Sequence, residues 1–303
     1  MNTQIKMRWC GFACYQIVLS DGTVILTDPC QYGMGEQWSA EPDYRRYADK
    51  TAADLLDRCD YVLLSHTHFD HVQDLPYVLD KFPDARVIVP DGGALPLVLK
   101  LNYSTLRRNI QIAGDKDRLC FPEFTLDCCR GKHTLFASTD PFFAHIQEQD
   151  YKTAFREADG SFDPIEAMFS ASGGLDFRNY VISAPGGMRI FLWAGQILED
   201  FRRFQYQGLK PDVMFVQIAG SNVGGDRTNP SGEIIGSFTM DVQPQVVLPI
   251  HQEKFTKANL LRVQEECSRY YQDRHSPIRY ENPRAYEWFT IARDETGVHT
   301  EGC

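Results

Sequence analysis

The chain has no uncharged apolar run approaching the roughly 18 residues that a membrane-spanning helix needs. Its opening, MNTQIKMRWCGF, has no apolar core of the signal-peptide kind. No membrane association and a cytoplasmic location are therefore expected. The nine cysteines include no C-x-x-C pair, and Cys128 and Cys129 are adjacent, a poor basis for a disulfide framework. They read as mostly reduced, buried core thiols; the alternative is a metal or redox cluster of Cys10, Cys14 and Cys30. Basic residues are also short: 31 Lys and Arg against 41 Asp and Glu leave a net charge of −10. Such a surface repels phosphate backbones and argues against general nucleic-acid binding. No short-period repeat or low-complexity stretch is present, so repeat architectures have no support. The remaining composition, 43% hydrophobic and 24% charged over 303 residues, is that of a folded globular protein, long enough for two domains or one large α/β domain.

The pattern along the chain alternates between sheet and helix. YQIVLS and TVILTD flank Asp21-Gly22, a hairpin signal, so residues 4 to 28 predict a β-meander. A loop at 31 to 43 precedes YRRYADKTAADLLDR, whose apolar spacing is helical. YVLLS at 61 to 65 predicts a short buried strand. Helices follow near Leu75 to Phe82 and Ala94 to Leu101, with strands at Arg86 to Val89 and near Ile110 and Phe124. Residues 137 to 177 are aromatic and acidic without sheet alternation and predict an inserted helical cap or arm. Strands resume in NYVISAPGGMRIFLWAG, turning at Pro185-Gly186-Gly187, and in DVMFVQIAG and QVVLPI, before a helix near Lys257 to Asp273. Two β-rich blocks, each followed by helices, imply two sheets packed together with helices outside.

The densest chemistry lies in YVLLSHTHFDHVQDL, where His66, His68, Asp70 and His71 follow the buried strand within six residues. Residues two apart on extended chain point the same way, so His66 and His68 can grip one cation. Asp70 and His71, at the start of a helix, face a neighbouring position. A solvated polar turn is the bland alternative, but a chain with 8 histidines rarely gathers three of them and an aspartate by chance.

This H-x-H-x-D-H segment after a short apolar strand resembles the signature of the metallo-β-lactamase fold superfamily. His133 in CCRGKHTLF matches the third histidine of that family's first metal site, and His251 in QVVLPIHQEKF matches the last histidine of the second. Asp28, in WCGFACYQIVLSDGTVILTDP, matches an acidic residue that supports the site, and this opening is similar to the branch that includes ascorbate-6-phosphate lactonase. The resemblance implies a single domain over 1–303, interrupted by the 137–177 insert. Its expected form is an αββα four-layer sandwich of two mixed β-sheets flanked by helices. It also implies metal ligands His66, His68, Asp70, His71, His133 and His251, with one or two divalent ions bound. Zinc is favoured, and manganese or iron also suit such donors.

One position departs from the family pattern. Its usual Gly-Asp, whose carboxylate bridges two metals, stands here as Gly195-Gln196, and a neutral amide bridges two dications poorly. Glu199 and Asp200 are nearby substitutes, or else ordinary helix-start carboxylates. The reading that follows is a metal-dependent hydrolase of a small, possibly anionic substrate such as a lactone, ester or phosphoester, with Asp70 orienting or deprotonating the water. The alternatives are a metal-binding member with little hydrolytic activity and a nuclease or phosphodiesterase. Arg130, Lys132, Arg227 and Lys254 are candidate substrate-binding cations, or else scattered surface charges. Insert aromatics Phe142, Phe143, Tyr151, Phe155 and Phe169 predict a lid, an oligomer contact or the insert's own core. A homo-oligomer is compatible with all of this. His145, His275 and His299 match no motif.

Overall fold

The computed structural model describes residues 3–31, 51–67, 69–72, 74–91, 109–131, 177–195, 205–218 and 230–302; of Phe69, Asp70 and Lys254 it describes the backbone alone. Strands β1 (Thr3–Gly11), β2 (Cys14–Val18), β3 (Val24–Thr27), β4 (Tyr61–Leu63), β5 (Arg86–Pro90) and β6 (Ile110–Ala113) form one sheet together with β14 (Phe289–Asp294) and β15 (Gly297–Glu301). Its order is β15-β14-β1-β2-β3-β4-β5-β6. The second sheet contains β7 (Arg118–Cys120), β8 (Thr125–Arg130), β9 (Arg178–Ser183), β10 (Arg189–Trp193), β11 (Val213–Gln217), β12 (Val246–Ile250) and β13 (Arg279–Tyr280), in the order β13-β12-β11-β10-β9-β8-β7. Both sheets are mixed. The first turns parallel from β3 to β6 and the second from β10 to β13; the remaining pairings are antiparallel.

Side-chain alternation explains the layering. In β1, Ile5, Met7 and Trp9 enter the core shared with the second sheet, whereas Cys10 joins a separate core beneath the first. In β4 and the residue after it, Tyr61 and Leu63 point one way and Val62 and Leu64 the other, which is why YVLL reads as an unbroken apolar run. Helix α1 (Phe69–Val72) and helix α2 (Leu75–Lys81) cover the outer face of the first sheet, α2 through buried Leu75, Val78 and Leu79. Helices α3 (Gly232–Val242) and α4 (Lys257–Gln272) cover the second. The result is the four-layer α/β sandwich that the sequence leads one to expect.

Several local expectations also hold. Gly22 (φ +87°) makes the β2–β3 turn, with Asp21 Oδ1 accepting from the Thr23 amide at 3.0 Å. Pro185–Gly187 turns β9 into β10 with Gly186 at φ 80°. Of the nine cysteines, Cys10, Cys14, Cys30, Cys59, Cys128 and Cys267 are buried, and none of the eight described ones is in a disulfide. A thiol hydrogen bond from Cys14 lowers the pKa of Cys10, while burial pushes Cys14 up.

Other expectations are corrected. Within the described part of the helical-looking 44–58 stretch, the chain makes only a 3-10 turn at Ala52–Leu55 and becomes extended at Leu56. The carbonyls that an α-helix would use are taken by side chains: Lys81 Nζ donates to Ala53 O (3.0 Å) and Leu56 O (2.6 Å), and Arg8 donates to Leu55 O. The expected helix near Ala94 to Leu101 and the 137–176 part of the insert lie outside the described residues.

The sequence pattern assigns no element to SGEIIGSFTMDV, where helix α3 lies, and Gly232 and Gly236 lower its intrinsic helix propensity. These glycines are packing devices. A Cβ on Gly232 would lie 2.4 Å from Glu266 Cβ and 2.9 Å from Val263 O, and one on Gly236 would lie 2.9 Å from the Tyr270 ring. Helices α3 and α4 thus approach on a surface that tolerates no added carbon, and the intrinsic helix cost of glycine is offset by this contact. Gly232→Ala is therefore expected to destabilise the fold by about 1–3 kcal/mol, as overpacking does. A urea-melt midpoint equal to that of the unaltered protein would contradict this packing account.

Candidate metal centre

The ends of β3, β4 and β12 meet at one edge of the sandwich, and three strained residues mark it. Asp28 (φ 36°), Phe12 (φ 44°) and His251 (φ 62°) all take positive φ, a costly conformation for side-chain-bearing residues that clusters at functional sites. Asp28 is fully buried. Its amide donates to Leu63 O at 3.0 Å, and its carboxylate is the hub of the first half of the site. Oδ1 accepts from the Ser65 amide (2.7 Å), Oδ2 from Ser65 Oγ (2.7 Å), and Oδ2 also lies 3.0 Å from His71 Nδ1.

These contacts assign the imidazole atoms. Ser65 Oγ spends its only hydrogen on Asp28, so toward His66 Nδ1, 2.9 Å away, it must accept. His66 therefore carries its proton on Nδ1, and His71, against the same carboxylate, does likewise. His251 Nδ1 lies 3.2 Å from Glu253 Oε1. In all three histidines Nδ1 is engaged, which makes Nε2 the atom to ligate a cation, the arrangement by which hydrogen-bond partners fix the tautomer of metal-bound imidazoles. The rings are close: His66 and His71 centroids are 3.9 Å apart, His71 and His251 5.1 Å. All three are buried.

The opposing sheets clamp the backbone that carries them. Tyr180 on β9 donates its hydroxyl to Leu64 O at 2.8 Å, and the Arg178 amide donates to Ser65 O at 2.9 Å. Reciprocally, Tyr15 on β2 donates to Pro249 O at 2.8 Å, just before His251, whose amide donates to Phe12 O at 3.0 Å. Arg178, only 2% exposed, ties the start of β9 to the end of β6 through Ala113 O at 2.9 Å. Phe177 places its ring 5.2 Å from His66. Asp74 anchors the segment after the motif: its Oδ2 accepts from the Gln31 and Ala52 amides at 2.8 Å, while burial pushes its carboxyl pKa up.

Of the residues singled out in the sequence, His66, His71, His251 and Asp28 are thus brought together. His68, His133, Gln196, Glu199, Asp200, Lys132 and Arg227 lie outside the described residues, as do the side chains of Asp70 and Lys254. Strand β8 ends at Arg130, three residues before His133, and β10 ends at Trp193, three before Gln196, so both positions follow strands of the second sheet. Arg130 is exposed, and its amide donates to Asp115 Oδ1 at 2.9 Å. Among the described residues alone, no three His, Cys, Asp or Glu side chains complete a metal-binding set. The three imidazoles and Asp28 converge at this edge of the sandwich. Ser65, Glu253, Tyr15, Tyr180 and Arg178 were not anticipated. Only Ser65 and Glu253 carried a signal, through their proximity in sequence to His66 and His251.

The model of the metallo-β-lactamase superfamily matches residues 9–196, more than half of the chain. The chain belongs to that superfamily. Its curated relatives include a UPF0173 protein of Pyrococcus furiosus, 28% identical over 165 residues, a match covering 53% of this chain and 68% of the relative. A UPF0173 metal-dependent hydrolase of Koribacter versatilis is 32% identical over 90 residues, 30% of this chain and only 34% of that protein. Among solved superfamily folds, the metallo-β-lactamase fold protein YhfI of Bacillus subtilis superposes with a TM-score of 0.56 at 12% identity, over 95% of this chain and 99% of its own. At that identity the likeness is one of fold. The narrower similarity to the ascorbate-6-phosphate lactonase branch has no counterpart in these matches.

Proposed function

We propose that the protein is a metal-dependent hydrolase of a small, anionic substrate, a lactone, ester or phosphoester. The observation that carries this reading is the convergence of His66, His71 and His251, each held at Nδ1 by a hydroxyl or a carboxylate. The metal-dependent hydrolase of Koribacter versatilis and the superfamily match support it. His66, His68 and His133 would hold one cation, and Asp70, His71 and His251 a second. Bound there, a divalent ion lowers the pKa of water toward neutrality and polarises a carbonyl or phosphoryl oxygen. Asp70 would accept the water's proton, Asp28 and Ser65 hold the imidazoles, and the buried rings keep bulk water from their hydrogen bonds. Imidazole and carboxylate donors favour zinc, with manganese or iron as the other candidates. Arg130, Lys132, Arg227 and Lys254 would draw the anionic group to the mouth.

Metal content measured beside turnover of lactones, phosphodiesters and thioesters tests the reading. Turnover that rises with metal loading supports it; a fully loaded protein inert toward every class leaves the metal-binding role without hydrolysis. Two dications about 3.5–4 Å apart need anions between them, and Gln196 offers none. One metal is therefore expected to be tight and the second weak, and Gln196→Asp is expected to raise the content toward two per chain. Unaltered stoichiometry in that variant, read by elemental analysis, would show that position 196 does not limit the second ion.

A further inference from the structure

Cys10 and Cys14 flank the turn between β1 and β2. The register pairs Trp9 with Tyr15 and Gly11 with Cys14, with an irregularity between them, so Cys10 has no opposite residue of its own and shares Cys14 with Gly11. Both thiols enter the core beneath the first sheet, and Cys14 donates a hydrogen bond to the Cys10 sulfur. Facing Cα atoms of an antiparallel pair are about 4.5–5.5 Å apart, within the range that a disulfide spans. Cys10 also contacts Arg8 O at 3.9 Å. Cys59, Cys128 and Cys267, equally buried, point only at backbone carbonyls or a tyrosine. The hydrogen bond from Cys14, aided by the charge of Arg8, holds the Cys10 thiol below its ordinary pKa despite burial, which favours Cys10 as the attacking sulfur. The pair lies between two backbone segments that frame the histidines. Phe12, in the turn, accepts from the His251 amide and from Trp9 Nε1, each at 3.0 Å. The Cys30 amide, two residues beyond Asp28, donates to the Cys14 sulfur.

We propose that Cys10 and Cys14 form a reversible redox site, closed to a disulfide by a hydroperoxide and reopened by a dithiol, whose closure loosens the hold of Phe12 on His251. The Cys10 thiolate attacks the hydroperoxide and the O–O bond breaks, giving a sulfenic acid and an alcohol or water. Cys14 then attacks that sulfur; the S–S bond forms, the S–O bond breaks and water leaves. In sum, two thiols lose two electrons and two protons, and the hydroperoxide is reduced to water and an alcohol, or to two waters. A covalent bond is shorter than the hydrogen bond it replaces, so Gly11, Phe12 and Ala13 readjust, and the Phe12 carbonyl is drawn from the His251 amide. None of this depends on a bound metal.

Hydrogen peroxide added to the folded full-length protein, followed by alkylation in denaturant and peptide mapping, tests the site. Cys10 and Cys14 are expected to lose alkylation together in most molecules and to appear as one bridged peptide, restored by dithiothreitol. Both are at most 1% exposed, so the bridge is expected to form more slowly than the exposed Cys120 oxidises. In Cys14→Ala, Cys10 is expected to stop at the sulfenic acid and to take up dimedone. Should that variant fail to fold, the map of the unaltered protein decides. Cys10 and Cys14 still alkylated after exposure long past full oxidation of Cys120, or a bridge to Cys30 instead, overturns the proposal. Hydrogen exchange reads the coupling: amide exchange at His251 is expected to quicken about 10-fold on oxidation and to recover on reduction. An unchanged rate in bridged protein overturns the link to His251.

Discussion

His66→Ala is expected to abolish turnover by emptying the metal centre while leaving the protein folded. His66 is 1% exposed, and its ring packs between His71 at 3.9 Å and Phe177 at 5.2 Å. Truncation leaves a cavity and deprives Ser65 Oγ of its Nδ1–H partner, which together cost about 1–3 kcal/mol. A domain of ordinary stability, about 5–15 kcal/mol, survives that loss. A metal held by His66 would not survive it, because a methyl group offers no donor in place of the imidazole. Elemental analysis beside near-UV circular dichroism separates the two effects: metal is expected to fall by at least one ion per chain with the aromatic signal preserved. A variant that keeps its metal and its turnover would remove His66 from the centre.

Asp70→Asn is expected to behave differently. Asp70 is the second residue of α1, directly before His71, and asparagine preserves the size of its side chain while removing the ability to accept a proton. If Asp70 is the general base, kcat falls by about 10²–10⁴-fold while at least one metal stays bound and KM changes little. Loss of metal in proportion to loss of rate would instead make Asp70 a ligand only. Near-normal turnover would deny it both roles. Comparing the two variants with one substrate distinguishes ligation from proton transfer.

The meeting of His66, His71, His251 and Asp28 at one edge of the sandwich is legible in the sequence. The strand before the H-x-H-x-D-H segment shows itself through residue type and spacing, and the family resemblance singles out His251, which the structure brings beside His71. What escaped is non-local or disguised. Tyr15 and Tyr180 work across the gap between sheets, on backbone 234 and 116 residues away. Nothing in their own strands sets them apart from ordinary core aromatics. Arg178 reads as a surface cation until β9 is placed beside the end of β4. Glu253 sits in plain view beside His251, but only the left-handed turn at His251 makes it a partner rather than a solvated acid. The fold shows the same division. Hairpins at Asp21-Gly22 and Pro185–Gly187 announce themselves through turn chemistry. Helix α3 hides behind glycines that serve its contact with α4. The pair β14 and β15 joins the first sheet beside β1 from the far end of the chain, a pairing that no local pattern specifies.

Anomalous diffraction from crystals of protein purified without added metal, combined with elemental analysis of the same preparation, tests the central claim most directly. The account predicts a divalent ion within ligating distance of His66 Nε2. A second, partly occupied peak is expected beside His71 and His251, whose Nδ1 atoms remain on Asp28 and Glu253. A folded, metal-free protein that takes up no ion when supplied with zinc, manganese or iron would contradict it, as would an ion bound away from these three histidines.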